Sequence, residues 1–116
     1  MCYRYAVNAQ AISIIVTTFP SLAVAQQLAR ELVDDGHAAC VNLVPQMQAI
    51  YQWEGQRCES EEVLAFMKTA EAHSATLMAE IAKRHPYTTP EILALSPHQV
   101  NAAYAAWVCR QTATQR

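Results

Sequence analysis

Glycine is nearly absent: Gly36 and Gly55 are the only two in 116 residues. That scarcity leaves no glycine-rich loop to cradle a phosphate, and neither a P-loop nor a dinucleotide fingerprint is present. Charge is sparse too, at 16% of residues, with eight Lys and Arg against ten Asp and Glu and a net charge of −2. No basic cluster forms, so nucleic acid is excluded as an expected partner. No apolar run approaches the ~20 residues that would span a bilayer, so no membrane partner is expected. The four cysteines, Cys2, Cys40, Cys58 and Cys109, form no CxxC pair. In a reducing compartment they are expected to be free thiols, with Cys40 a small core residue and Cys58 exposed.

What the chain has in quantity is apolar side chains, 53% of the total. A single domain of this length has a core of ordinary size, so the excess points to surface buried against other chains. Residues 1–11 have mixed polarity and lack the apolar centre of a signal peptide. They read as a flexible leader to a domain over residues 12–111, with a short tail over 112–116. A cytoplasmic location is expected.

The longest patterned stretch is Cys40 to Trp53. Cys40 to Val44 is nearly continuously apolar, as a strand buried on both faces would be. Pro45 has no N–H to give a ladder and interrupts it. Met47, Ala49, Tyr51 and Trp53 then alternate with Gln46, Gln48 and Gln52, the period of a strand. Glu54-Gly55-Gln56 reads as a turn and Glu61 to Thr69 as the returning strand. This makes a hairpin too long for a small core to cover.

The remaining elements have clear boundaries. Ile12 to Thr18 is a β-branched run that reads as a central strand, closed by Phe19-Pro20. Ser21 is placed to cap a helix over Leu22–Asp34, which Gly36 ends. A second helix starts near Ser74 and stops at Pro86, with Leu77, Met78, Ile81, Ala82 and His85 on one face. Glu91 to Leu95 forms a short strand, and Asn101 caps a last helix carrying Tyr104, Trp107 and Val108. The order β-α-β-β-α-β predicts an α+β, ferredoxin-like sandwich with a long hairpin between its second and third strands and an extra C-terminal helix.

Several separate motifs, in order, resemble the CutA divalent-cation tolerance proteins. They are Thr17-Thr18-Phe19-Pro20, Ala39-Cys40-Val41-Asn42-Leu43-Val44-Pro45, Ile50-Tyr51-Gln52-Trp53-Glu54-Gly55, Lys68-Thr69, His85-Pro86-Tyr87 with Pro90-Glu91-Ile92, and Asn101 to Trp107. The resemblance spans roughly residues 12 to 110. It implies a tight homotrimer, similar to the PII signalling proteins, in which the long hairpins pair between subunits. It also implies a response to metal ions, with copper or another divalent cation weakly bound. In certain members a cysteine stands at the position of Thr17 and a second histidine at that of Arg84, so only His85 of the three remains. The glycine common after the hairpin proline is Gln46 here, and the residue after Tyr87, often glutamate or glutamine, is Thr88.

His85 is the first candidate metal ligand and Cys40 a second, since imidazole and thiolate are what copper selects. The competing role for His85 is a partly buried imidazole bonding backbone carbonyls. Tyr51, Trp53, Tyr87 and Trp107 are expected at the trimer interface or in a cleft between subunits. His37, His73 and His98 lack metal-like spacing and read as solvated. Glu59, Glu61 and Glu62 place three acidic groups close in sequence, and Lys68 is expected to pair with a carboxylate such as Glu91. Cys40 with His85 is the one nucleophile-base pair available, and no enzyme is expected. The alternative to a metal-binding role is a PII-like signalling scaffold that binds a metabolite or protein partner, with only an indirect link to metal tolerance.

Overall fold

The computed structural model describes residues 11–112. The expected leader, apart from Ala11, and residues 113–116 of the expected tail lie outside the described residues. The elements are β1 (Ile12–Phe19), α1 (Leu22–Asp34), β2 (Cys40–Trp53), β3 (Gln56–Ala70), a 3-10 turn (Glu71–His73), α2 (Ser74–Arg84), β4 (Ile92–Leu95) and α3 (Ala102–Gln111). The fold is the ferredoxin-like α+β sandwich that the element order implies.

The strands form one antiparallel sheet in the order β2-β3-β1-β4. Side chains alternate across it, so one face of β1 and β3 carries Ile15, Phe19, Val63, Ala65 and Met67. These meet Leu28 and Leu32 of α1 and Leu77 and Ile81 of α2 in the main core. Ser21 caps α1 by accepting from the Val24 amide at 3.2 Å. Asn101 caps α3 by accepting from Tyr104 N at 3.1 Å. At the Ile12 end of the sheet, Ala105 and Val108 of α3 close a second, smaller cluster with Ile12 and Ala39. Thr112, expected in the tail, is fully buried there. Its hydroxyl donates to Val108 O at 2.9 Å and accepts from Ala70 N at 3.0 Å, which ties the end of α3 to β3.

Two expectations are corrected. The Cys40–Val44 segment is not buried on both faces, because β2 is the outer strand of the sheet. Val41 and Leu43 pack on the main core, whereas Val44 is 46% exposed and Cys40 only half-buried. The interruption expected at Pro45 is present: the register slips between Val44 and Met47, and pairing continues to Trp53. Lastly, β3 begins at Gln56 rather than Glu61, because Glu54 and Gly55 take φ of 53° and 79°. Left-handed residues at both central positions build the tight two-residue turn whose twist suits a hairpin, so pairing starts at once.

The slip at Pro45 is a β-bulge, and it re-aims the outer half of the hairpin. Val44 lies opposite Leu64 and Met47 opposite Glu62. Leu64 and Glu62 share a face of β3, so Val44, Met47, Ala49, Tyr51 and Trp53 share one face too. Without the extra residue Tyr51 and Trp53 would turn to the other side. Gln46 supports the bulge with φ of 64°, a conformation that costs an L-residue roughly 1–2 kcal/mol. Gln46→Gly is therefore expected to raise stability by about 0.5–1 kcal/mol, the relief being partly offset by the backbone entropy of glycine. Urea unfolding of the two proteins checks it; a loss of stability would mean that the glutamine side chain supports the bulge.

Candidate functional site

The end of α2 sets the geometry of the His85-Pro86-Tyr87 corner, which turns back on the sheet. Pro86 forces His85 out of the helix, into extended backbone at φ −72° and ψ 140°. The ring then enters the space beside β1 and is 9% exposed. It stacks on Phe19, centroids 4.8 Å apart and planes 13° off parallel. His85 Nε2 lies 2.7 Å from the Thr18 carbonyl, and the Tyr87 amide lies 3.1 Å from Nδ1. A carbonyl can only accept and an amide N–H can only donate. The imidazole therefore carries its proton on Nε2 and its lone pair on Nδ1, and both are committed to backbone.

Tyr87 continues the corner. Its hydroxyl donates to Glu62 Oε2 at 3.3 Å, linking the loop to the base of the hairpin. Burial, with the negative charge of Glu62 beside it, pushes the Tyr87 hydroxyl up to about 12. Between hairpin and loop runs a groove of about 940 Å³, lined by Tyr51, Trp53, Glu62, Pro86 and Tyr87 among others. Tyr51 is 43% and Trp53 52% exposed along it.

The two candidate ligands, His85 and Cys40, are not brought together within the chain. Cys40 lies opposite Lys68, which lies opposite Ile14, whereas His85 reaches Thr18 farther along β1. That separation is roughly 13 Å along the strand alone. The same distance leaves the nucleophile-base pair of Cys40 and His85 unassembled within the chain. Thr17, at the position of a cysteine in certain relatives of the resembled family, is fully buried with no hydrogen-bond partner for Oγ1 among the described residues. A hydroxyl does not replace a thiolate as a copper ligand. Arg84 is neutralised locally: it meets Glu80 at 2.8 Å, Asp35 at 3.2 Å and Glu31 at 3.3 Å. Its hydrogen bond, together with that of Lys83, holds the Glu80 carboxyl below its ordinary value. Among the described residues no three His, Cys, Asp or Glu side chains converge as a metal site. The residues at this corner, as they are held, do not fit a resident metal ion.

Other sequence expectations resolve differently. Glu59 and Glu61 lie on one face of β3 and Glu62 on the other, so the three carboxylates form no cluster; Glu59 pairs with Arg57 at 3.2 Å. Lys68 bonds the Asn42 side chain across the strand pair rather than Glu91. Cys58 is half-buried, in the strand and opposite Tyr51. Trp107 is half-buried on α3 against Tyr104, centroids 5.8 Å apart. Burial, with Cys40 alongside, raises the Tyr104 hydroxyl. His37 and His73 are neither isolated nor simply solvated: their rings meet, Nδ1 to Nε2, at 3.0 Å. No local spacing announces that pair, because the residues come from segments far apart in the chain.

Comparison with known proteins places these features in a family. A family model described as CutA1 divalent ion tolerance protein matches residues 13–111. The divalent-cation tolerance protein CutA of Thermus thermophilus is 38% identical over 99 residues, 85% of this chain and 96% of that protein. The protein CutA of Mus musculus is 39% identical over 101 residues, 87% of this chain but only 57% of that longer protein. Among solved structures, the periplasmic divalent cation tolerance protein CutA of Archaeoglobus fulgidus superposes with a TM-score of 0.83 at 30% identity, covering 87% of this chain and 98% of that one.

Proposed function

Because the chain belongs to the CutA1 divalent ion tolerance protein family, we propose that it acts in the tolerance of divalent metal ions and does so as a homotrimer. The observation that carries the assembly is the uncovered face of the sheet. Val44, Leu93 and Leu95 lie on it, 46%, 47% and 49% exposed, and the bulge brings Tyr51 and Trp53 to the same side. An apolar face of this kind, on a sheet with an open outer strand, is an interface in want of a partner. Three copies closing on one another would cover it and pair the hairpins.

Within that role, copper or a similar cation at His85 is held weakly. It must displace either the Thr18 carbonyl or the Tyr87 amide, and one imidazole without thiolate or second histidine is a poor copper site. The groove beside Tyr51, Trp53 and Tyr87 favours a second reading, a PII-like scaffold that binds a small molecule or protein partner and affects metal tolerance indirectly. Ligand binding in the groove would be indifferent to a chelator and sensitive to Trp53→Ala. For the compartment the reading is the cytoplasm, and cell fractionation tests that placement.

The role itself is tested by growth of a strain lacking the protein across graded copper, zinc and cobalt. Lowered tolerance, restored by the wild-type chain, is the expected result. Unchanged thresholds for all three ions would sink the tolerance reading, and full restoration by His85→Asn would favour the indirect one.

A further inference from the structure

We propose that His37 and His73 form a second, separate site, a two-imidazole chelate for a divalent cation of the copper(II) or nickel(II) type. Both backbones are anchored to the same end of the sheet. Gly36, with φ of 80°, ends α1 and turns His37 back, so that its amide donates to Leu32 O at 2.9 Å. The His37 carbonyl accepts from Thr69 Oγ1 at 3.0 Å, and the Ala39 amide donates to Lys68 O at 2.8 Å. His73 closes the 3-10 turn that follows β3 directly, and the first residue of that turn donates to Ala11 O at 2.9 Å. Two imidazoles from segments far apart in sequence are thus delivered to one point by rigid neighbours.

The rings meet edge to edge. His37 Nδ1 and His73 Nε2 are 3.0 Å apart, the centroids 5.3 Å apart and the planes within 19°. Without an ion, one nitrogen donates its proton and the other accepts it. A cation needs both lone pairs. With the gap proton held on His37 Nδ1, it passes through solvent to His37 Nε2, and two neutral imidazoles remain as ligands. At an imidazole–metal distance of about 2.0–2.1 Å, nitrogens 3.0 Å apart subtend roughly 90–95° at the ion. That is the cis angle of the square-planar or tetragonal sites that suit copper(II) and nickel(II). Each lone pair must swing by about 45°, a change within the broad torsional range of a histidine ring. Water fills the other positions, so the affinity is modest.

This site is distinct from the His85 corner, which lies at the Thr18–Phe19 end of β1, roughly 20 Å along the strand from the Ile12 end. It stands on the geometry of the pair and does not depend on the tolerance role. The test is calorimetric titration of copper(II) into the tag-free full chain, with nitrogen hyperfine coupling read by electron paramagnetic resonance. The expected result is saturable binding near one ion per chain with two coordinated imidazole nitrogens. His37→Asn and His73→Asn should each weaken it at least tenfold, about 1.4 kcal/mol, and leave one nitrogen. His98→Asn, at an exposed position, should change nothing, and His73→Gln with a circular-dichroism check guards against misfolding. Absence of saturable binding, or binding indifferent to both histidines, overturns the site and leaves the pair a structural hydrogen bond. Binding lost with His85→Asn alone also overturns it and moves the ion to the other corner.

Discussion

His85→Ala is expected to cost about 3–5 kcal/mol of stability. The substitution strands the buried Thr18 carbonyl, at about 1–3 kcal/mol, and the half-buried Tyr87 amide, at the low end of that range. It also removes the stack on Phe19, worth about 0.5–1.5 kcal/mol beyond area. His85→Asn should lose less, since a side-chain amide offers both a donor and an acceptor. Urea unfolding at one fixed protein concentration makes the measurement, because the stability of an oligomer depends on concentration. A cost below about 1 kcal/mol for the alanine variant would show that the imidazole does not hold these backbone bonds in solution. The same result would release the ring for a metal. Stability and metal affinity at this residue are therefore opposed, and measuring both separates a structural imidazole from a ligand.

Leu93→Glu should convert the proposed trimer into single chains. Leu93 lies opposite Val16 on the sheet face away from α1 and α2, and it is 47% exposed in the single chain. A carboxylate there enters an apolar interface without a partner, at a cost of several kcal/mol for each of the three copies. Light scattering would then report a mass near that of one 12.9 kDa chain in place of three. Leu22→Glu is the control. Leu22 is also apolar and 40% exposed, but it opens α1, where a negative charge near the helix N-terminus is favourable. A trimer that survives Leu93→Glu, or a wild-type protein that is already monomeric, would remove the assembly from the proposal.

The corner and the histidine pair differ in how far a sequence reader can reach them. His85-Pro86-Tyr87 is contiguous, and proline after histidine announces a helix end. That the ring is fully used by backbone cannot be read there, because its partners depend on where Thr18 lies. The pair of His37 and His73 is worse placed for such reading. The two lie 36 residues apart in sequence, and bonds such as Ala39 N–H to Lys68 O and Thr69 Oγ1–H to His37 O bring their segments together. The bulge at Pro45-Gln46 was half legible. Proline signals an interruption, but not that one extra residue would keep the strand running with its faces exchanged.

Elements with local causes were set by the sequence alone. Helix α1 follows from Ser21 and Gly36, α2 ends at Pro86, α3 starts at Asn101, and the β-branched run before Phe19 becomes a central strand. Each needs only capping, backbone restriction or side-chain period, which act within a few residues. The same motifs, in order, were enough to indicate the family. Only the tertiary structure decided which strand lies at the edge, which side Tyr51 and Trp53 face, that Arg84 is enclosed by Glu80, Glu31 and Asp35, and which histidines meet. Those outcomes depend on strand order and register between distant segments. A one-residue shift in register exchanges the faces of a whole strand.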